Sequence, residues 1–179
     1  MLFGEGFQQP SVELHHIHME EDAGKSIHEE GNSTLIDLNR AGSPLVEIVT
    51  EPSIKGPDEA AAFLQEVRRI VRFLGISEAN MEKGELRCDA NISVMPIGSS
   101  QLGNKVEVKN MNSFSNVRKA IVHELERQLK MAQADEYIDI ETRTFDPNSG
   151  TTASMRFKET MNDYRYFPCP DLPTLIIEE

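Results

Sequence analysis

The sequence predicts an α+β fold in which a largely antiparallel sheet carries both of its helices on one face. Several short stretches alternate apolar and polar residues as strands do, and two longer stretches repeat apolar residues at helical spacing. Hairpin-type links between the strand patterns favour antiparallel pairing. The helices leave the other face of such a sheet open and polar, so we expect the functional residues there.

The first part of the chain is predicted to supply three strands and the clearest helix. Pro57 suits the first position of that helix, and apolar residues recur from Ala60 to Leu74 at helical spacing until Gly75 ends it. In chain order, we predict a lead-in at 1–11, a strand at 12–20, a polar loop at 20–32, strands at 35–39 and 45–50, and a helix at 57–74.

Two later segments place carboxylates at the spacing of a strand. Arg87 and Asp89 occupy the polar phase of the first segment, and Glu107 and Lys109 occupy the polar phase of the second. If the two strands pair, Asp89 and Glu107 meet on one surface beside the two cations. Hard cations prefer carboxylates and phosphates need positive partners, so this set suits a magnesium-nucleotide site. The segments are 81–94 and 106–114.

The last part of the chain is predicted to contain a helix, a hairpin and an aromatic loop. Ser113 suits the N-cap of the helix, and turn-forming residues at 146–150 predict the hairpin. The aromatic loop would either stack a base and clamp phosphate or plug the edge of the core, and composition does not separate the two. In chain order, we predict a helix at 113–134, strands at 138–145 and 151–158, a loop at 159–173 that carries Tyr164, Arg165, Tyr166 and Phe167, and a strand at 174–177.

Composition restricts the class of protein. The 179 residues suffice for one domain with a core, and 39% hydrophobic and 27% charged residues are ordinary for a globular protein. The formal net charge of -12 argues against broad binding to phosphate backbones. No apolar run reaches membrane-spanning length, the first residues lack a secretory-signal pattern, and two cysteines make no disulfide framework. We therefore expect a reducing, cytoplasmic setting.

Two motif-like patterns in the first strands are weak. Residues 22–26 resemble the end of a phosphate-binding P-loop, but Met19 stands where that motif needs glycine. We therefore reject a P-loop and keep Lys25 only as a candidate lysine that contacts phosphate from a loop. The three histidines at 15–18 suggest zinc, but no complementary pair of Cys or His stands at a familiar spacing. We interpret them as ordinary strand residues.

Further carboxylates in the first part of the chain are candidate ligands. The acidic run at 20–22 is either a solvated loop or the source of one more oxygen ligand. Glu47 stands between apolar neighbours, so we expect it to be partly buried, with a metal or an arginine as its partner. The chain has no nucleophile elbow and no Gly/Ser-rich amidase signature, so we do not expect it to hydrolyse an amide itself.

Five segments occur together in the order seen in one known family. They are IHMEEDAGK (17–25), LIDLNRAGSPLVEIVTEP (35–52), MEKGELRCDANISV (81–94), VEVKNMNSF (106–114) and DYRYFPCPDLP (163–173). Through these segments, residues 12–177 resemble GatB, one of the three proteins of the aspartyl/glutamyl-tRNA amidotransferase GatCAB. The resemblance implies a fold related to glutamine synthetase and the guanido kinases.

The resemblance also implies an activity and partners. The family uses ATP and Mg²⁺ to phosphorylate the side-chain carboxylate of Glu on tRNA(Gln) or Asp on tRNA(Asn), and ammonia from the amidase subunit, GatA, then attacks the acyl phosphate. The small subunit, GatC, completes the heterotrimer, and no membrane or DNA is involved. The implied metal ligands are Glu21, Asp89 and Glu107, with Glu47 as a weaker fourth. The implied catalytic cations are Arg87, Lys109 and Arg165, and the implied nucleotide or substrate contacts are Lys25, Lys109, Asn110, Asn112, Tyr164, Arg165 and Tyr166.

This chain departs from the family pattern in ways that bear on activity. The family's first strand, with a Gly-Leu-Glu-x-His motif, and its later helical and tail regions are absent, so 12–179 is expected to be an incomplete core domain. We expect weak or no Mg-ATP activity from it alone. Cys169 replaces a usually acidic residue, and Glu85 a usually small one. The alternatives are a non-catalytic scaffold that docks the amidase and tRNA, and a free-standing kinase of a small carboxylate or guanidino substrate.

Overall fold

The computed structural model describes residues 11–28 and 34–157, which divide between two compact units, 1–63 and 64–179. Each unit is described by itself. The elements in chain order are β1 (Leu14–Glu21), β2 (Lys25–His28), β3 (Thr34–Asp37), β4 (Pro44–Thr50), α1 (Pro57–Phe73), β5 (Ala90–Ile92), β6 (Val106–Lys109), α2 (Phe114–Gln133), β7 (Glu141–Asp146) and β8 (Thr151–Phe157). The described part of the chain has no helix long and apolar enough to cross a bilayer.

The first unit contains two antiparallel ribbons. β1 pairs with β4, and β2 pairs with β3. The prediction that all strands join one sheet is therefore wrong for the described residues, because these two ribbons and the strands of the second unit form three separate sheets. The predicted strands at 12–20, 35–39 and 45–50 are confirmed within two residues at each end. The prediction of an uninterrupted loop at 20–32 is wrong, because Lys25–His28 forms β2. Four residues are too few to show a strand period, and backbone pairing with β3 decides their conformation.

The two predicted helices are confirmed, and local sequence explains their ends. Gly75 adopts a left-handed φ of 68° after α1, its N–H donates to the Arg72 carbonyl, and the Ile76 N–H donates to the Val71 carbonyl. These two bonds satisfy carbonyls that the end of the helix would otherwise leave open. Ser113 caps α2, because its hydroxyl accepts a hydrogen bond from the Asn116 N–H at 3.1 Å.

The second unit contains a four-stranded sheet in the order β5-β6-β7-β8. The β7–β8 hairpin and the antiparallel β5–β6 pair agree with the prediction, but β6 and β7 are parallel because α2 crosses over between them. The predicted strand at 81–94 is also shorter than expected, since only β5 pairs with a neighbouring strand. A turn at Gly84, with φ of 68°, occupies the residues before it. The relation to glutamine synthetase stays a prediction.

The two faces of this sheet differ as the alternation predicted. Ile92, Val106, Val108 and Phe145 are buried on one face, and α2 packs against β5 and β8. Val108 and Glu107 are neighbours in β6 and therefore point to opposite faces. The face that α2 leaves uncovered is the polar one.

A buried ion network joins α2 to β7. Glu124 is fully buried and accepts hydrogen bonds from Arg127 at 2.7 Å, Gln128 at 2.9 Å and Thr152 at 3.1 Å. On β7, Arg143 donates to Glu141 at 2.6 Å, and its Nε lies 3.6 Å from Glu124.

The charges of this network balance, with two carboxylates and two guanidinium groups. Burial alone would raise the pKa of Glu124, but the hydrogen bonds from Arg127, Gln128 and Thr152 and the charge of Arg127 outweigh it and leave the pKa below its usual value. Glu124 is therefore ionised at neutral pH. Each charge in the network has a partner of opposite sign. Removal of any one of them therefore leaves a charge without its full partner in the core.

We predict that Glu124→Gln lowers the free energy of unfolding by about 3 kcal/mol at pH 7, since Arg127 and Arg143 then share a single carboxylate. Urea denaturation measures this change. Glu126→Gln is the matched control, because Glu126 lies on the same helix but is exposed, and it should change the value by less than about 0.5 kcal/mol.

The pH dependence of the same measurement separates charge from packing. The folded pKa of Glu124 is depressed, so its contribution is fully present above the unfolded pKa and is lost as pH falls through the folded pKa. The difference between wild type and Glu124→Gln should therefore shrink in acid. A difference that stays constant from pH 7 to below the folded pKa would contradict the network's ionic character.

We also predict that Cys88 is chemically inert in the folded protein. Burial, helped by the negative charge of Asp89, raises the pKa of its thiol to about 12. Thiolate is the reactive form, so the reaction with DTNB at pH 8 should be more than about a hundredfold slower than that of a free thiol. The measurement uses a Cys169→Ser background, in which Cys88 is the sole thiol. Rapid labelling without urea would contradict the prediction, while labelling in urea should be fast.

Candidate functional site

Two carboxylates and a lysine converge on the polar face of the second unit's sheet. Lys109 Nζ donates a hydrogen bond to Asp89 Oδ2 and lies 3.3 Å from Glu107 Oε1. The antiparallel register of β5 and β6 pairs Asn91 with Glu107, so Asp89, two residues earlier, lies beside Lys109. The predicted meeting of Asp89, Glu107 and Lys109 on one surface is confirmed.

The three side chains differ in their access to solvent. The side chain of Asp89 is 47% exposed, that of Lys109 is 34% exposed, and that of Glu107 is 17% exposed. Partial burial of Lys109 alone would lower its pKa, but its hydrogen bond to Asp89 and the charges of both carboxylates outweigh this and raise the pKa. Lys109 therefore carries its proton at neutral pH. We refer to Asp89, Glu107 and Lys109 as the carboxylate cluster.

Thr142 is a member of the site that sequence reasoning missed. Its hydroxyl donates to Glu107 Oε2 at 3.1 Å, and the parallel register of β6 and β7 places the two residues opposite each other. Thr142 is 1% exposed. The alternation of Glu141, Thr142 and Arg143 shows that Thr142 shares no face with the two charged residues, but no local signal identifies β6 as its neighbour.

Asn110 and Asn112 shape the turn between β6 and α2. Asn110 adopts a left-handed φ of 68°, and its side-chain amide donates to the Phe145 carbonyl at 3.0 Å. The side-chain oxygen of Asn112 accepts from the Asn116 amide at 2.7 Å. The Asn110 bond holds the end of β6 against β7, and the Asn112 bond lies at the start of α2, so both asparagines have a structural role. Their contact with substrate stays a prediction.

The predicted ligands Glu21 and Glu47 belong to the β1–β4 ribbon of the first unit. The register pairs Glu21 with Pro44 and His18 with Glu47, so alternation puts Glu21 and Glu47 on opposite faces of the ribbon. Both residues are exposed, and the expected partial burial of Glu47 is wrong. The reason is that β4 is one half of a two-stranded ribbon rather than an interior strand. Side chains on opposite faces of one ribbon do not reach the same ion, so at most one of Glu21 and Glu47 can add to the two ligands of the carboxylate cluster. That contact stays a prediction.

The remaining predicted site residues divide into two groups. Lys25 is exposed on β2, and Arg87 is exposed two residues before Asp89. Arg165 and its neighbours lie outside the described residues, as does Cys169. Those neighbours are Tyr164, Tyr166 and Phe167.

The donor chemistry of the carboxylate cluster fits Mg²⁺ with a nucleotide. Mg²⁺ usually keeps several waters and is held by one or two carboxylates together with substrate phosphates, rather than by a cage of protein ligands. Asp89 and Glu107 supply two carboxylates on an accessible face. Among residues 11–28 and 34–157, no group of three or more His, Cys, Asp or Glu is arranged to hold a metal, and this includes the histidines at 15–18.

Comparison with known proteins identifies the family to which the chain is similar. The family described as the GatB/GatE catalytic domain matches residues 3–179. The chain is 53% identical over 176 residues to the B subunit of the aspartyl/glutamyl-tRNA(Asn/Gln) amidotransferase of Pelodictyon phaeoclathratiforme, a match that covers 98% of this chain and 37% of that protein. It is 54% identical over 165 residues to the protein of the same name from Geotalea uraniireducens, with 90% and 34% of the two chains covered.

A third relative, from Chlorobaculum tepidum, has the same name and is 52% identical over 168 residues. The match covers 94% of this chain and 35% of that protein. The chain thus spans about a third of the length of the curated relatives it matches. The sequence resemblance seen in five separate segments and the match over residues 3–179 agree: the chain belongs to the GatB/GatE catalytic domain family.

Proposed function

We propose that this chain activates and amidates the side-chain carboxylate of a misacylated aminoacyl-tRNA, using ATP and Mg²⁺. The substrates would be Glu on tRNA(Gln) and Asp on tRNA(Asn), consistent with the names of the relatives. One observation supports the chemistry most directly. Asp89 and Glu107 converge on protonated Lys109 at an accessible face of the sheet.

The reaction needs activation because a carboxylate is a poor acceptor for ammonia. Direct attack would have to expel oxide. In the proposed sequence, a carboxylate oxygen of the aminoacyl group takes the γ-phosphoryl group of ATP and releases ADP. Ammonia then forms the C–N bond while the C–O bond to phosphate breaks, and inorganic phosphate leaves. The product is the amide, Gln or Asn, still esterified to its tRNA.

The residues of the carboxylate cluster suit the first of these steps. Phosphoryl transfer depends mainly on positioning and on neutralising charge. Asp89 and Glu107 would hold Mg²⁺, which when bound neutralises phosphate charge and polarises the phosphoryl group. Lys109, whose pKa the two carboxylates raise, would donate an N–H to a phosphate oxygen. We further assign cation roles to Arg87 and Arg165, and contacts with nucleotide or substrate to Lys25, Asn110, Asn112, Tyr164 and Tyr166. One additional metal contact is assigned to Glu21, with Glu47 as the weaker alternative, because the two lie on opposite faces of their ribbon.

The proposal includes partners. The family's active form joins an amidase, which releases ammonia from glutamine, and a small third protein. A net charge of -12 does not favour a broad tRNA-binding surface on this chain. We therefore infer that this chain contacts mainly the aminoacyl end of the tRNA and that most of the phosphate contacts come from other parts of the assembly. A cytoplasmic location fits this role.

We predict that Asp89→Asn and Glu107→Gln each lower the rate of tRNA-dependent amidation by more than about a hundredfold, the scale expected when a fixed electrostatic partner is lost. Each replacement keeps the size of the side chain and removes its charge. The measurement is formation of Gln-tRNA(Gln) by the amidotransferase complex that contains this chain, with glutaminase activity and complex assembly followed in parallel.

Glu82→Gln serves as the matched control, since Glu82 is an exposed carboxylate a few residues upstream of Asp89. It should leave amidation within about twofold of wild type, as expected for a surface substitution. If amidation survives both Asp89→Asn and Glu107→Gln, the chain acts as a scaffold that docks the amidase and tRNA. If a small acid is phosphorylated without tRNA at a comparable rate, a free-standing kinase is the better description.

A further inference from the structure

The Glu107 carboxylate is held at both of its oxygens. Oε1 lies 3.3 Å from Lys109 Nζ, on the exposed side of the site. Oε2 accepts a hydrogen bond from the Thr142 hydroxyl at 3.1 Å, on the side facing β7. Each oxygen of the carboxylate therefore has a partner in the sheet. Lys109 is a flexible side chain at a solvent-accessible position, whereas Thr142 is 1% exposed.

The position of Thr142 is determined by the strand that carries it. β7 is an interior strand, and its parallel register pairs Glu107 with Thr142. The residue after Thr142 is anchored on the opposite face, where Arg143 donates to the Thr152 hydroxyl and to the Thr152 carbonyl, each at 2.9 Å. Slippage of β7 by one residue would break these bonds and turn the Thr142 side chain to the other face.

Threonine has the chemistry that this position requires. Its branched Cβ limits the rotation of χ1, so the hydroxyl is directed by packing as well as by hydrogen bonding. A hydroxyl that donates to Oε2 satisfies one oxygen of a mostly buried carboxylate without adding charge. Carboxylates that bind a metal are commonly hydrogen-bonded in turn by a neighbouring residue, and loss of that partner typically costs 10–100-fold in metal affinity or activity.

We infer that Thr142 is a positioning residue, which orients the Glu107 carboxylate so that it faces the bound divalent cation. This inference rests on the proposed function, because Glu107 must be a metal ligand for its orientation to matter. Thr142 itself touches neither metal nor substrate. It acts through one hydrogen bond from the neighbouring strand β7.

The test measures metal binding separately from catalysis. Mn²⁺ is titrated into the amidotransferase complex that contains this chain, with a non-hydrolysable ATP analogue present, and free Mn²⁺ is followed by electron paramagnetic resonance. Thr142→Val keeps the shape of the side chain and removes the donor, and we expect it to weaken Mn²⁺ binding about tenfold. Thr142→Ser keeps the donor and should restore binding to within about threefold of wild type.

Thr144→Val is the matched control. Thr144 lies on the same face of β7, two residues along, and pairs in register with Lys109 rather than with Glu107. Loss of its hydroxyl should leave Mn²⁺ affinity unchanged. Thermal unfolding of each variant shows whether it is folded, and Thr142→Ala replaces Thr142→Val if the valine variant does not assemble. A purely structural role for Thr142 would lower the melting temperature and leave Mn²⁺ affinity at the wild-type value, which would overturn the inference.

Glu107→Gln distinguishes failure of this inference from failure of the proposed function. If Glu107→Gln abolishes Mn²⁺ binding while Thr142→Val binds like wild type, the metal site stands and Thr142 has no positioning role. If Glu107→Gln binds Mn²⁺ as tightly as wild type, or if wild type binds none, the metal site itself is wrong and the role of Thr142 falls with it. If Glu107→Gln and Thr142→Val both weaken Mn²⁺ binding and Thr142→Ser restores it, the result supports both the metal site and the positioning role of Thr142.

Discussion

The parallel pairing of β6 with β7 is the constraint on which the second unit depends. On one face of the sheet, β7 joins the buried network in which Arg143 and Glu141 meet Glu124 of α2. On the other face, β7 places Thr142 against Glu107. The same short strand therefore couples the core to the carboxylate cluster, because successive side chains of a strand alternate between its faces. An error in its register would disturb both at once.

The Glu124 network and the carboxylate cluster differ in burial and in how their charges are paired. Glu124 is fully buried and surrounded by donors, and its network contains equal numbers of positive and negative groups. Such a set is costly to leave incomplete, which favours one arrangement of α2 on the sheet. The carboxylate cluster is accessible, and it brings two carboxylates together with one ammonium group. Two carboxylates on an accessible face suit a divalent cation that also binds phosphate, whereas the charges of the buried network are already paired within the core.

Sequence reasoning recovered both helices and most of the strands where local signals are strong, but not the division of the described strands among three separate sheets. Both helices, the β7–β8 hairpin and the two faces of β5 and β6 follow from periodicity, from Ser113 as a cap and from Gly75 as a stop. It failed where the signal is not local. β2 is too short to show a period, the turn at Gly84 interrupts what reads as a long strand, and the burial of Glu47 was inferred from neighbours in sequence although β4 forms half of a two-stranded ribbon.

The amino-acid sequence by itself determined the family and the residue types of the site, because long motifs and strand alternation are properties of the chain read in order. It also placed Asp89 and Glu107 on the polar phase of two strands. Only the tertiary structure decided that Lys109 bridges the two carboxylates and that the Thr142 hydroxyl donates a hydrogen bond to Glu107. The physical reason is distance along the chain. Thr142 lies 35 residues beyond Glu107, and their hydrogen bond exists only because α2 returns the chain to lay β7 parallel to β6.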